Sequence, residues 1–274
     1  MILVKYLIVA VLLLLVVAPL QANADTWNDY LQVLNKFYTL DQQEFESVSC
    51  NIEVPMINNL LSQLYTRFSD VRDKIVIKED LKKFSLIYRK SGELTINYPT
   101  FEIRIISEEE VADPIKVRSG IEMINTGFKI AIEGAVSQIK SIFEELGMPK
   151  RDQYKIEEVK NDNSVYTVKY EKHNSHFTEI YSDNQRKVIG VGNDGKMSSS
   201  ENYEKAPNGK LVLRNAHVTV DAPMSKTEMD ISISYEELKT VYFPTHISSH
   251  FNQSLQTVRQ EGQTDIFLKN CDLQ

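Results

Sequence analysis

The second half of the chain constrains the fold most. From Tyr154 onward nearly every segment alternates apolar and polar residues with a period of two. Val165 to Lys172, His176 to Ser182, Lys187 to Val191, Lys210 to Val220, Thr227 to Tyr235 and Phe243 to Phe251 read as successive strands. Asn184-Gln185, Asn193-Asp194-Gly195 and Pro207-Asn208-Gly209 supply turns between several of them. Connections this short imply antiparallel neighbours, hence a meander. In Thr227 to Tyr235, Met229, Ile231, Ile233 and Tyr235 share one face, and Glu228, Asp230, Ser232 and Ser234 share the other. Across the next turn Phe243, Ile247 and Phe251 lie opposite Pro244, His246, Ser248 and His250. One apolar and one wet face is the signature of a single antiparallel sheet.

The first half mixes periods. Trp27, Tyr30, Leu31, Leu34, Phe37 and Tyr38 fall at helical intervals, which predicts a helix over Asp25 to Leu40. Val48, Cys50, Ile52 and Val54 alternate as a strand, and Pro55 then opens a helix carrying Ile57, Leu60, Leu61, Leu64 and Phe68. Phe84, Leu86 and Tyr88, then Leu94, Ile96 and Tyr98, flank Lys90-Ser91-Gly92-Glu93 as a hairpin. After Pro99 the same period resumes at Phe101, Ile103 and Ile105. Lys116 to Leu146 carries a continuous helical stripe through Ile121, Ile124, Phe128, Ile132, Ala135, Ile139 and Ile142. Gly127 and Gly134 inside it suggest a bend or a break. No repeat or low-complexity linker interrupts the chain, so residues 25–274 are expected to form one α+β domain.

Met1 to Lys5, the apolar run Tyr6 to Leu20 and the small residues Ala22 and Ala24 read as a signal peptide over residues 1–24, cleaved after Ala24. An uncleaved anchor is the alternative, but the run is shorter than the roughly 20 residues a spanning helix needs. Losing Lys5 shifts the formal charge from −7 to −8, because −7 less one cation is −8. So acidic a chain is a poor partner for nucleic acid, whose phosphates need clustered Lys and Arg. Cys50 and Cys271 are the two cysteines. In an oxidising compartment an even pair predicts a disulfide, with two free thiols as the alternative.

No C-x-x-C, H-E-x-x-H, G-x-S-x-G or glycine-rich phosphate loop occurs. His246 and His250 would converge on a metal if helical, but on a strand they stand about 13 Å apart. No metal ligands, catalytic residues or cofactors are therefore expected. His173 and His176 read as turn residues and His217 as a structural histidine.

Two stretches carry a resemblance. "FSLIYRKSGELTINYPTFEIRII", Phe84 to Ile106, and "EMDISISYEELKTVYFPTHISSHF", Glu228 to Phe251, resemble the early and late hairpins of the outer-membrane lipoprotein carrier and sorting superfamily of Gram-negative periplasms. The resemblance implies a strongly curved, unclosed antiparallel β-sheet, a half-barrel, covered by helices on its concave side. It further implies a periplasmic, non-enzymatic carrier. Such a carrier holds lipid or lipoprotein acyl chains in an apolar cavity, with a membrane-bound donor or acceptor protein as partner. On that reading Leu86, Tyr88, Ile96, Tyr98, Met229, Ile231, Ile233, Phe243 and Ile247 would touch the ligand, and Lys116 to Leu146 would act as the lid. The alternative is an envelope sensor or protein-interaction module that uses the same groove for a partner segment. A hydrolase assembled from scattered residues such as His217, His246 and His250 is a third possibility.

Overall fold

The computed structural model describes residues 26–107, 111–193, 195–255 and 258–274. The expected signal peptide, and the glutamate run at 108–110, lie outside them. Helix α1 covers residues 26–34. Strand β1 (Ser47–Glu53), helix α2 (Pro55–Arg67) and strands β2 (Ile75–Asp80), β3 (Ser85–Arg89), β4 (Leu94–Asn97) and β5 (Thr100–Ile105) follow. Helix α3 (Pro114–Glu145) precedes β6 (Lys155–Asp162), β7 (Val165–Lys172), β8 (Ser175–Ser182), β9 (Gln185–Gly192) and β10 (Gly195–Lys205). Strands β11 (Leu211–Ala222), β12 (Ser225–Leu238), β13 (Val241–Leu255) and β14 (Val258–Leu273) complete the order.

The half-barrel expectation is corrected here. Twelve strands form one antiparallel sheet in the order β4-β3-β1-β14-β13-β12-β11-β10-β9-β8-β7-β6, and β2 and β5 form a separate two-stranded sheet. The large sheet is neither closed nor strongly curled. Strong curvature needs bulges or glycine kinks repeated along the strands. Here single shifts occur in β1, β6 and β10, at Ser49/Asn51, Ile156/Glu158 and Asn202/Tyr203, while the β7–β8 and β8–β9 ladders run without one. Tight turns connect the meander: Asn163 and Ser164, then His173 and Asn174, all adopt positive φ, the backbone of two-residue hairpins.

The chain divides into two compact units, residues 1–38, 149–230 and 251–261, and residues 39–148, 231–250 and 262–274. In the first, α1 covers one face of the meander. Tyr30 and Val33 are buried, and the Tyr30 ring meets Tyr154 and Tyr170 at 6.3 and 6.4 Å. The helix ends earlier than its periodicity predicts. Phe37 leaves it to form an isolated parallel bridge with Leu211, where Tyr38 N–H donates to Leu211 O at 2.8 Å and Leu211 N–H to Lys36 O at 3.0 Å. The Phe37 ring then packs on Tyr181 at 5.3 Å and Tyr203 at 4.8 Å. Tertiary pairing has overridden local helix propensity.

In the second unit α3 is one unbroken helix, so Gly127 and Gly134 do not break it. Asp113 caps it by accepting from Lys116 N–H at 3.0 Å, with Pro114 opening the first turn. Gly120 serves close packing, since a Cβ there would stand 2.6 Å from the Phe68 ring. Cys50 and Cys271 are bonded. The register shift between Ser49 and Asn51 puts two residues of β14, Asn270 and Cys271, opposite Cys50, and Asn270 takes the left-handed φ of 52° that the bulge requires. Closing a loop of 221 residues contributes about 4–5 kcal/mol in the chain-entropy model.

Candidate functional site

The residues expected to touch a ligand are distributed unevenly. Leu86, Ile233, Phe243 and Ile247 are 0% exposed and Tyr88 1%. The α3 residue Phe143 fills the space beside them, 5.0 Å from the Tyr88 ring and 5.6 Å from the Phe243 ring. Ile96, Met229 and Ile231 are half-buried, while Tyr98 is 51% exposed. Tyr98 borders open space with other apolar groups around it.

That space is a cleft of about 390 Å³ between the Tyr98–Ile103 segment and α3. Pro99 locks the chain as it passes from β4 to β5 and so presents Tyr98 outward and Phe101 inward. Phe101 stacks on Phe128, with ring centroids 3.9 Å apart and planes 16° from parallel. Ile132 continues the apolar wall one turn further along α3, and Asn125, Lys129 and Glu133 stand at the rim. A second cleft, of about 410 Å³, is lined by Ile52, Val54, Ile57 and Phe84, with the Glu53–Lys269 ion pair at its mouth. Ile52, Val54, Ile57 and Phe84 are only 2–5% exposed and Leu81 is half-buried, so it offers little apolar surface to a ligand. In the Tyr98 cleft Tyr98 is exposed and Phe101 and Ile132 are half-buried above a buried Phe128, so it offers a ligand more apolar surface.

The first unit holds a buried acid network that the sequence reading missed. Glu179, 0% exposed, accepts from Tyr170 Oη at 2.9 Å, from Arg186 Nη2 at 2.6 Å and from Tyr181 Oη. Glu201 accepts from Ser199 Oγ at 2.7 Å, Tyr203 Oη at 2.8 Å and Arg186 Nη1 at 3.3 Å. Burial, reinforced by the Glu179 charge, pushes the Tyr170 hydroxyl far above its ordinary pKa. Burial does the same to Tyr181, against the opposing pull of Arg186. Both hydroxyls therefore remain neutral donors. The network clamps β8, β9 and β10 under Phe37, with Glu179 fully buried and Arg186 and Glu201 at its partly exposed edge. Alternation did hold its signal: Phe177, Glu179 and Tyr181 share a face, as do Arg186 and Val188, and Ser199, Glu201 and Tyr203.

His246 and His217 are paired with carboxylates. His246 Nε2 lies 3.1 Å from Asp265 Oδ1 and its ring stacks on Phe267 at 4.2 Å; His217 Nδ1 lies 2.7 Å from Asp230 Oδ1. Burial opposes ionisation of Asp265, but hydrogen bonds from Ser248 and His246, the His246 charge and Gln263 outweigh it and hold the carboxyl below its usual range. Among the described residues no group of three or more His, Cys, Asp or Glu is placed to hold a metal ion, and no helix is long and apolar enough to cross a membrane. No family model, curated protein or solved structure matches the chain.

Proposed function

We propose that this chain is an exported, non-enzymatic binding protein whose Tyr98–Phe101–Phe128–Ile132 cleft takes the acyl chain of a lipid or lipoprotein. The observation that carries the reading is the cleft itself: a trough of about 390 Å³ walled by Tyr98, Pro99, Phe101 and Ile132, with Glu102, Lys129 and Glu133 as its charged lining. That volume falls at the low end of ligand sites, roughly 300–1,000 Å³. Each methylene removed from water there contributes about 0.8 kcal/mol, so selectivity rests on chain length more than on polar recognition. Export is supported by the N-terminal apolar run with its small-residue site and by the Cys50–Cys271 bond, which persists in oxidising compartments. Native mass spectrometry of protein purified from its own host tests the reading. A bound lipid that leaves on delipidation is expected, and an empty protein together with no uptake of a fluorescent fatty acid refutes it.

A second reading has a specific observation in its favour. Leu86, Tyr88, Ile233, Phe243 and Ile247 are 0–1% exposed, and Phe143 packs on Tyr88 and Phe243, which suits an envelope sensor or interaction module. In that reading the same cleft takes apolar side chains of a partner's periplasmic segment. A peptide that binds the cleft and is not displaced by fatty acid would favour it.

A further inference from the structure

The polar lining of the Tyr98 cleft is ordered along α3. Asn125, Lys129 and Glu133 follow one another at intervals of four residues, which sets them in one row along the helix. Successive members stand roughly 6 Å apart at a rise of 1.5 Å per residue. Phe128 and Ile132 repeat the interval one residue earlier and carry the apolar wall beside that row. The row reads amide, cation, anion: its first two members can donate hydrogen bonds, and its third accepts them.

The charges of this lining are not equally committed. Glu102, on the β5 side of the cleft, is held by Arg104, whose Nε donates to it at 2.5 Å. Lys129 and Glu133 meet only loosely, at 3.9 Å, with side chains 74% and 62% exposed. They cancel in net charge, and each can turn to a ligand group of opposite sign. A carboxylate head would satisfy Lys129 but stand against Glu133, and an alkylammonium head would do the reverse. A head group carrying both charges satisfies both.

Resting on the acyl-chain reading of this cleft, we propose that its ligand is a zwitterionic phospholipid of the phosphoethanolamine class. The phosphate meets Asn125 and Lys129, and the primary ammonium meets Glu133. The short spacer between phosphate and amine is on the scale of the single helical turn from Lys129 to Glu133. A primary ammonium donates N–H bonds directly to the carboxylate, which a quaternary one cannot do. The acyl chain lies against Phe101 and Ile132. Because both ionic contacts are exposed, the chain sets the affinity and the head group sets the preference.

Calorimetric titration of the oxidised chain tests this with three amphiphiles of one chain length, each below its micelle concentration. They are lysophosphatidylethanolamine, lysophosphatidylglycerol and the free fatty acid. The ethanolamine lipid is expected to bind about fivefold more tightly than the glycerol lipid, the scale of one exposed ion pair. Glu133→Lys is expected to reverse that order, because two cations then face a net anion, whereas a merely structural role for Glu133 would weaken both lipids alike. Phosphoethanolamine without a chain is expected to bind too weakly to detect. Equal affinity for the two lysolipids, a preference that survives Glu133→Lys, or tight binding of chain-free phosphoethanolamine would overturn the head-group assignment, while saturable fatty-acid binding would leave the acyl-chain reading standing. Binding of none of the three amphiphiles would refute that reading and this proposal with it.

Discussion

Phe101 of β5 lies flat on Phe128 of α3, the two rings 3.9 Å apart and 16° from parallel. This contact joins the two-stranded sheet to the long helix and forms the floor of the cleft proposed to bind ligand. Phe128 is 2% exposed, so Phe128→Ala is expected to cost about 3–5 kcal/mol. Phe128→Leu should recover most of that loss, as measured by urea denaturation.

The Cys50–Cys271 bond ties β1 to β14 across the longest loop in the chain. Replacing both cysteines by serine, or reducing the bond, is expected to lower stability by about 4 kcal/mol. Denaturation with and without reductant measures the difference, and the double-serine variant should not respond to reductant at all.

Arg186 bridges two buried carboxylates. Arg186→Met leaves Glu179 and Glu201 facing each other without a cation and is expected to cost about 3–5 kcal/mol near neutral pH. Glu179→Gln should cost less, because Arg186 and Glu201 still balance. Equal losses in both variants would contradict the assigned charge balance.

Tyr170 and Tyr181 have folded pKa values raised above the unfolded value of about 10. Their contribution is fully present below that pH and is lost as pH rises above it, because the unfolded chain ionises first. The expected slope is a loss of about 1.4 kcal/mol per pH unit for each ring. Alkaline denaturation followed by tyrosinate absorbance should be shallower in Tyr170→Phe.

Much of this architecture is legible in the sequence, because period-two and helical patterns are local. The stripe on α3, the hairpin of Leu86 and Tyr88, and the alternation of Ile233 with Tyr235 all predict the faces that are buried. Sheet curvature is not local. It depends on how strands stagger and where bulges fall, so the resemblance suggested a half-barrel and the strand ladders form an open sheet instead. The end of α1 was illegible because the Leu211 backbone, far along the chain, claims Phe37 and Tyr38. Glu179 and Glu201 were overlooked because a charged residue on an apolar face reads as solvated until its cation, Arg186 on the intervening strand, is in view. Tyr98 sits at the end of a legible hairpin, whereas Ile132 read as ordinary core and proves half-buried beside the cleft.

The most direct test is titration of the oxidised chain with a fluorescent fatty acid, comparing wild type with Ile132→Glu. Ile132 is half-buried in the cleft wall, so the variant is checked first for an unchanged fold by circular dichroism. Saturable binding of one probe per chain, lost in Ile132→Glu, is the predicted result. No saturable binding, or binding that Ile132→Glu leaves intact, would contradict it.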